Sequence, residues 1–216
     1  FYARVDHVSV PLAQEGTGQV VVDFTPEPLT QDVSFVFHIE KTADVVVDSL
    51  TAEISGIPST MELTTGLILA QKTYKLLFRP TYAALPSAAD SASAETLRCE
   101  ASVNIPGIVR SHTEDMVTGP GILQIAIYTH YDYEEEGTQR KAAKVFHAGI
   151  NLYHTLKERK SLQWDEEENG YRQASRSITV EIGSPLNIDK DGILNGGSTS
   201  TGLDQWIPGE TFEIEV

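Results

Sequence analysis

Cysteine is nearly absent from this chain of 216 residues, where Cys99 stands alone. A lone thiol forms no internal disulfide, and without CxxC or Cys/His spacing it suggests no zinc. Long apolar runs are missing too. No stretch approaches the roughly 20 consecutive apolar residues of a membrane helix, so membrane insertion by this segment is not expected. Basic residues are scarce, with 16 Lys and Arg against 31 Asp and Glu and a formal net charge of −15. Such a surface repels a phosphate backbone and argues against nucleic acid as a partner. The chain opens on Phe1 rather than Met, with no basic segment leading into an apolar run. A trimmed or processed segment is therefore expected, with any targeting signal upstream. A nucleophile elbow, a P-loop and a GxGxxG turn are all missing, which recommends no catalytic class and no cofactor.

What the chain does contain is alternation. Hydrophobic residues make up 40% and charged residues 22%, enough for a sizeable core in one elaborated domain. Val33, Phe35, Phe37 and Ile39 recur with period two, as half-buried strands require. Leu97, Cys99, Ala101, Val103 and Ile105 do the same. Residues 19–25 place Val20, Val22 and Phe24 on one side, and 73–79 set Tyr74, Leu76 and Phe78 opposite Lys75 and Leu77. Further strands are expected over 45–54, 122–133, 177–182 and 211–216. Pro26-Glu27-Pro28, Ser55-Gly56-Ile57-Pro58, Gly119-Pro120-Gly121, Glu136-Gly137 and Asn195-Gly196-Gly197 punctuate them as turns. Many short strands so divided predict an all-β sandwich or barrel. Residues 83–95 and 198–202 read as exposed loops. Between 143 and 160, Val145, Phe146, Gly149, Leu152, Tyr153 and Leu156 fall at helical spacing, which fits one short helix; Gly149 and the β-branched neighbours count against it.

The groups that could carry chemistry each have a plainer reading. Asn187-Ile188-Asp189-Lys190-Asp191-Gly192 matches the first half of a calcium loop. The position six residues after the glycine, where a bidentate carboxylate belongs, is Ser198, so a polar turn is the better reading. The acids at 132–136 and 165–168 invite comparison with paired catalytic carboxylates, which sit about 5–10 Å apart. Their neighbours Gly137 and Asn169-Gly170 make them hairpin tips instead. His7, His38, His112, His130, His147 and His154 show no HxH or HExxH spacing and read as ordinary strand or loop residues. Tyr131 and Tyr133 share a strand face, with Tyr128 opposite, while Trp164 and Trp206 sit near loops. Tyr131, Tyr133 and Trp164 at a sandwich rim are candidates for stacking on a glycan, or else they fill and cap the core.

Read in order, several stretches carry a resemblance. They are Phe1-Tyr2-Ala3-Arg4-Val5 leading into Val8-Ser9-Val10, then Val20-Val21-Val22-Asp23-Phe24-Thr25-Pro26, and after an alternating strand Ala52-Glu53-Ile54-Ser55-Gly56-Ile57-Pro58 and Leu63-Thr64-Thr65-Gly66. The tail adds Ile178-Thr179-Val180-Glu181-Ile182, Gly196-Gly197 and Asp204-Gln205-Trp206 before an acidic final strand. This order resembles the C-terminal domain of the fimbrillin-like, type V pilin-like surface proteins of Bacteroidetes. The resemblance implies a transthyretin-like β-sandwich over residues 1–216, with an N-terminal domain and a lipoprotein signal upstream. It implies a non-catalytic structural or adhesive role at the cell surface, anchored to the outer membrane or within a fimbria, with no cofactor. Partners would be other fimbrial subunits or further copies of the chain, joined by β-strand addition, and a host or bacterial surface glycan or protein. Thr211, Phe212, Glu213, Ile214, Glu215 and Val216 have the character of an exchangeable strand, although a terminal strand also commonly pairs within its own sheet. A surface glycan-binding module and a hydrolase on a β scaffold are the alternative readings.

Overall fold

The computed structural model describes residues 28–63, 65–86, 94–109, 119–165, 170–173, 176–194 and 206–214. The expected strand at 19–25 and the loop at 198–202 lie outside them. Within the described residues the chain is all-β with one short helix, and its strands form two sheets in a sandwich-like arrangement.

The smaller sheet is built on β1 (Gln31–Thr42), whose alternation is the cleanest in the sequence. Val33, Phe35, Phe37 and Ile39 are all buried, while the residues between them are partly exposed. β1 pairs antiparallel along its whole length with β5 (Ala94–Ile105), in register Val33 to Val103 and Phe37 to Cys99. Residues directly opposite share a face, so two apolar rows fuse into one. β4 (Thr81–Ala84) extends the sheet beyond β5. On the other side of β1 lie β10 (Ser177–Glu181) and β11 (Leu186–Ile188), both parallel to it.

The larger sheet has the order β12-β7-β6-β2-β3-β9-β8. Its centre is β2 (Val45–Met61), flanked by β3 (Ile68–Phe78) and β6 (Ile122–Glu135). β6 turns through Glu136-Gly137 into β7 (Thr138–Asn151) with unbroken register from Ile122–Asn151 to Glu135–Thr138. Both turn residues have positive φ (50° and 75°), the requirement of a two-residue hairpin turn whose twist matches its strands. β12 (Ile207–Ile214) closes one end of the sheet; β9 (Gly170–Gln173) and β8 (Leu162–Asp165) form the other.

One contiguous apolar cluster lies between the sheets, joining Phe35, Phe37 and Ile39 to Ile54, Ile125, Ile127 and Phe146. Phe35 stacks on Phe78 and Phe37 meets the edge of Trp206 at centroid distances of 5.9 and 5.3 Å, each bridging an element of one sheet to a segment of the other. Trp206 is thus a core residue.

Two sequence expectations need correction. Ser55-Gly56-Ile57-Pro58 does not end a strand. It is a bulge inside β2, where register against β3 slips between Ile54 and Ile57. Gly56 has φ +77°, and a Cβ there would lie 2.4 Å from the Gly121 nitrogen. Pro58 is tolerated because pairing with β6 has already ended at Ile54. The second correction concerns residues 143–160. A helix does form, but only as α1 (Leu152–Glu158); the first half of the segment is β7. Asn151 caps α1 by accepting from the His154 N–H at 3.0 Å, and Leu152, Tyr153 and Leu156 are buried.

Candidate functional site

Sheet edges are where a sandwich can accept another strand, and among the described residues the edges are treated unequally. β4 is four residues long, too short to template much pairing, and Tyr82 anchors it by donating from its hydroxyl to the Val47 and Asp48 carbonyls at 3.0 and 3.1 Å. The outward carbonyls of β10 are occupied. Arg159, just past the end of α1, donates from its two terminal nitrogens to the Thr179 and Glu181 oxygens at 3.2 and 2.9 Å. Its planar fork matches two carbonyls spaced along an extended strand. At the ends of the larger sheet β8 has four residues and β12 has eight.

β12 contains the expected exchange segment as far as Ile214; Glu215 and Val216 lie outside the described residues. It pairs antiparallel with β7 in two short runs, Ile207–Gly149 with Pro208–Ala148, and Thr211–Phe146 to Ile214–Ala143, separated by a bulge. In this structure the terminal strand therefore completes its own sheet. The register decides which side Phe212 faces. Thr211 lies opposite Phe146, which is in the core, so Phe212 belongs to the opposite, outer face. There it continues the cross-strand row Val145–Tyr128 and meets the His147 ring edge-on at 5.6 Å. Phe212 is 51% exposed. The alternation of this segment was legible in the sequence; the outward direction of Phe212 was not.

The three candidate glycan aromatics do not come together. Tyr131 and Tyr133 share a face of β6 with ring centroids 6.2 Å apart, but the planes are tilted by 50°, and the Lys144 ammonium sits 5.5 Å from the Tyr131 ring centre. Trp164 lies on β8, and β9, β3 and β2 separate that strand from β6. Four strand spacings along the sheet amount to about 19 Å. The same separation applies to Asp132 and Glu134 on β6 against Asp165 on β8, beyond the reach of a glycosidase carboxylate pair. Glu166 lies outside the described residues. Glu135 instead pairs with Arg140 at 2.8 Å across the hairpin tip.

The sequence Asp189-Lys190-Asp191-Gly192 forms a turn of the polar kind. Asp189 Oδ1 accepts from the backbone N–H groups of Asp191 and Gly192 at 2.7 and 2.8 Å, and the chain closes through an Ile188–Ile193 bridge. His130 hydrogen-bonds Asp48 at 2.7 Å through Nδ1. Among the described residues no three His, Cys, Asp or Glu side chains are grouped to hold a metal ion, and no helix is long and apolar enough to cross a membrane.

Comparison with protein-family models, with curated proteins and with solved structures gives no match.

Proposed function

We propose that this chain is a non-catalytic structural or adhesive subunit of a bacterial surface, fimbrial or fimbria-associated, that joins its neighbours by β-strand addition. The observation that carries this reading is the inequality of the edges. β12 is the longest edge strand described, and its terminal run coincides with the segment whose alternation suits strand exchange. Strand addition draws its affinity from backbone hydrogen bonds along such an edge and its specificity from alternate side chains. Phe212, already half in solvent, supplies an apolar contact beside the edge at little cost to the core.

The test uses native protein sheared from the surface of the cells that make it, run unboiled and boiled on a denaturing gel. A ladder that collapses on boiling is expected, because long β-pairing between subunits resists detergent kinetically. Deleting residues 211–216 should remove the ladder. A single monomer band in both lanes rules out assembly by strand addition and leaves an anchoring or glycan-binding role.

A further inference from the structure

The outer face of the larger sheet carries a row of apolar side chains that runs across its strands. Phe212 on β12, Val145 on β7 and Tyr128 on β6 are direct cross-strand partners, with Ser49 of β2 next in line. The row faces outward because the next residues along β7, β6 and β2, namely Phe146, Ile127 and Leu50, lie in the core. We propose that this row binds an extended, neutral, β-1,4-linked glycan chain, with Tyr128 and Phe212 as the stacking residues.

Burial along the row shows how its side chains lie. Val145 is only 6% exposed although it points away from the core, while Tyr128 and Phe212 on either side of it are 36% and 51% exposed. Solvent therefore reaches the row from above, and the cover on Val145 is lateral. The two rings lean over it, and the three side chains make one continuous apolar surface. Phe212 is held by the His147 ring, which meets it edge-on at 5.6 Å. His147 is held in turn by the β12 bulge, where Gly209 comes so close that a Cβ would lie 3.0 Å from the His147 Cβ. Rings fixed before binding lose little freedom when a ligand arrives.

Spacing and composition select the ligand. Two strand spacings separate Tyr128 from Phe212, about 10 Å, close to the length of one disaccharide unit in an extended β-1,4-linked chain. Each ring can then meet the flat face of every second sugar. Hydrogen-bonding groups border the strip on the same face. Asp48 and His130 are joined at 2.7 Å, with His130 next along that face of β6 from Tyr128 and Asp48 adjacent to Ser49. Carboxylate, imidazole and hydroxyl together both accept and donate, as sugar hydroxyls require. The net charge of −15 disfavours uronic-acid and sialylated glycans, and it also opposes a second copy laying the same face against this one. The inference goes beyond assembly at the β12 edge by giving the adhesive role a target. Tyr128 lies two strands inside that edge, so its loss tests binding without touching strand addition.

The test titrates the whole chain with cellohexaose, xylohexaose and chitohexaose by calorimetry, with maltohexaose as the curved, α-linked contrast and oligogalacturonate as the acidic one. At least one β-1,4-linked hexaose should bind, and both contrasts should bind more weakly. Tyr128→Ala and Phe212→Ala should each weaken binding about tenfold, the equivalent of ~1.4 kcal/mol, with unchanged circular dichroism spectra. Tyr128→Phe should keep the affinity within a few-fold, which separates loss of the ring from loss of the fold. Leu77→Ala removes an exposed apolar side chain from the same face but outside the row, and it should leave binding intact. Failure of all three β-linked hexaoses overturns the proposal, as does equal binding of maltohexaose or binding that survives both Tyr128→Ala and Phe212→Ala. Dimerisation that Tyr128→Ala abolishes, with no hexaose bound, overturns it in favour of a contact between copies.

Discussion

Cys99 shows how burial alone sets a residue's chemistry. It lies in the middle of β5 opposite Phe37, fully enclosed by the core. Burial pushes its thiol from the ordinary 9.0 up to about 12, because the thiolate loses its hydration there. The folded state therefore keeps a proton that the unfolded state releases first. Its contribution to stability is complete below pH 9.0 and declines as pH rises toward about 12. Urea titrations of wild type and Cys99→Ala across that window should show the wild type losing stability more steeply. At neutral pH the native thiol should react with a disulfide reagent at least ~100-fold more slowly than in urea. Equal rates would mean that the core opens readily at β5. Gly56 makes the matching case for backbone. Alanine there meets both the positive φ and the Gly121 nitrogen, so Gly56→Ala should cost on the order of 2 kcal/mol or more in denaturant unfolding. A loss under half of that would show that the Gly119-Pro120-Gly121 turn can yield.

At the scale of elements, edges and periodicity matter more than single contacts. Residues 143–151 carry apolar side chains that satisfy helical and strand spacing at once, and the hairpin through Glu136-Gly137 settles the choice. Once that turn forms, β7 gains a continuous ladder with β6, which an isolated short helix cannot match. The helix survives only past Asn151, where a cap is available. Arg159 then carries a second task at the end of α1, filling the outward carbonyls of β10. Arg159→Ala should leave that edge ready to pair, so the variant should self-associate at concentrations where wild type stays monodisperse. Light scattering against concentration reads this directly. If the variant behaves as wild type, the edge is protected by something other than the guanidinium.

For the whole molecule, one apolar cluster spans both sheets, with no division of the core along the chain among the described residues. Phe35–Phe78 and Phe37–Trp206 couple the sheets directly. Thermal unfolding should therefore be a single transition, with calorimetric and van't Hoff enthalpies in agreement. Two resolved transitions would mean that the sheets, or segments outside the described residues, melt as separate units.

The sequence by itself determined that the chain is β-rich, which face of β1 and β5 is buried, and where most strands run. Period-two alternation is a local signal, and on β1 the residues that carry it, Val33, Phe35, Phe37 and Ile39, end in the core. It also showed the polar turn at Asp189, whose hydrogen bonds span only a few residues. Only the tertiary structure decided the parallel pairing of β10 and β11 with β1, the outward direction of Phe212, the wide separation of Trp164 from Tyr131, and the meeting of Gly56 with the Gly119-Pro120-Gly121 turn. Each of these depends on strand order and register between segments distant in the chain. A one-residue change of register reverses every side chain on a strand, and nothing local to that strand encodes which register its neighbours will impose.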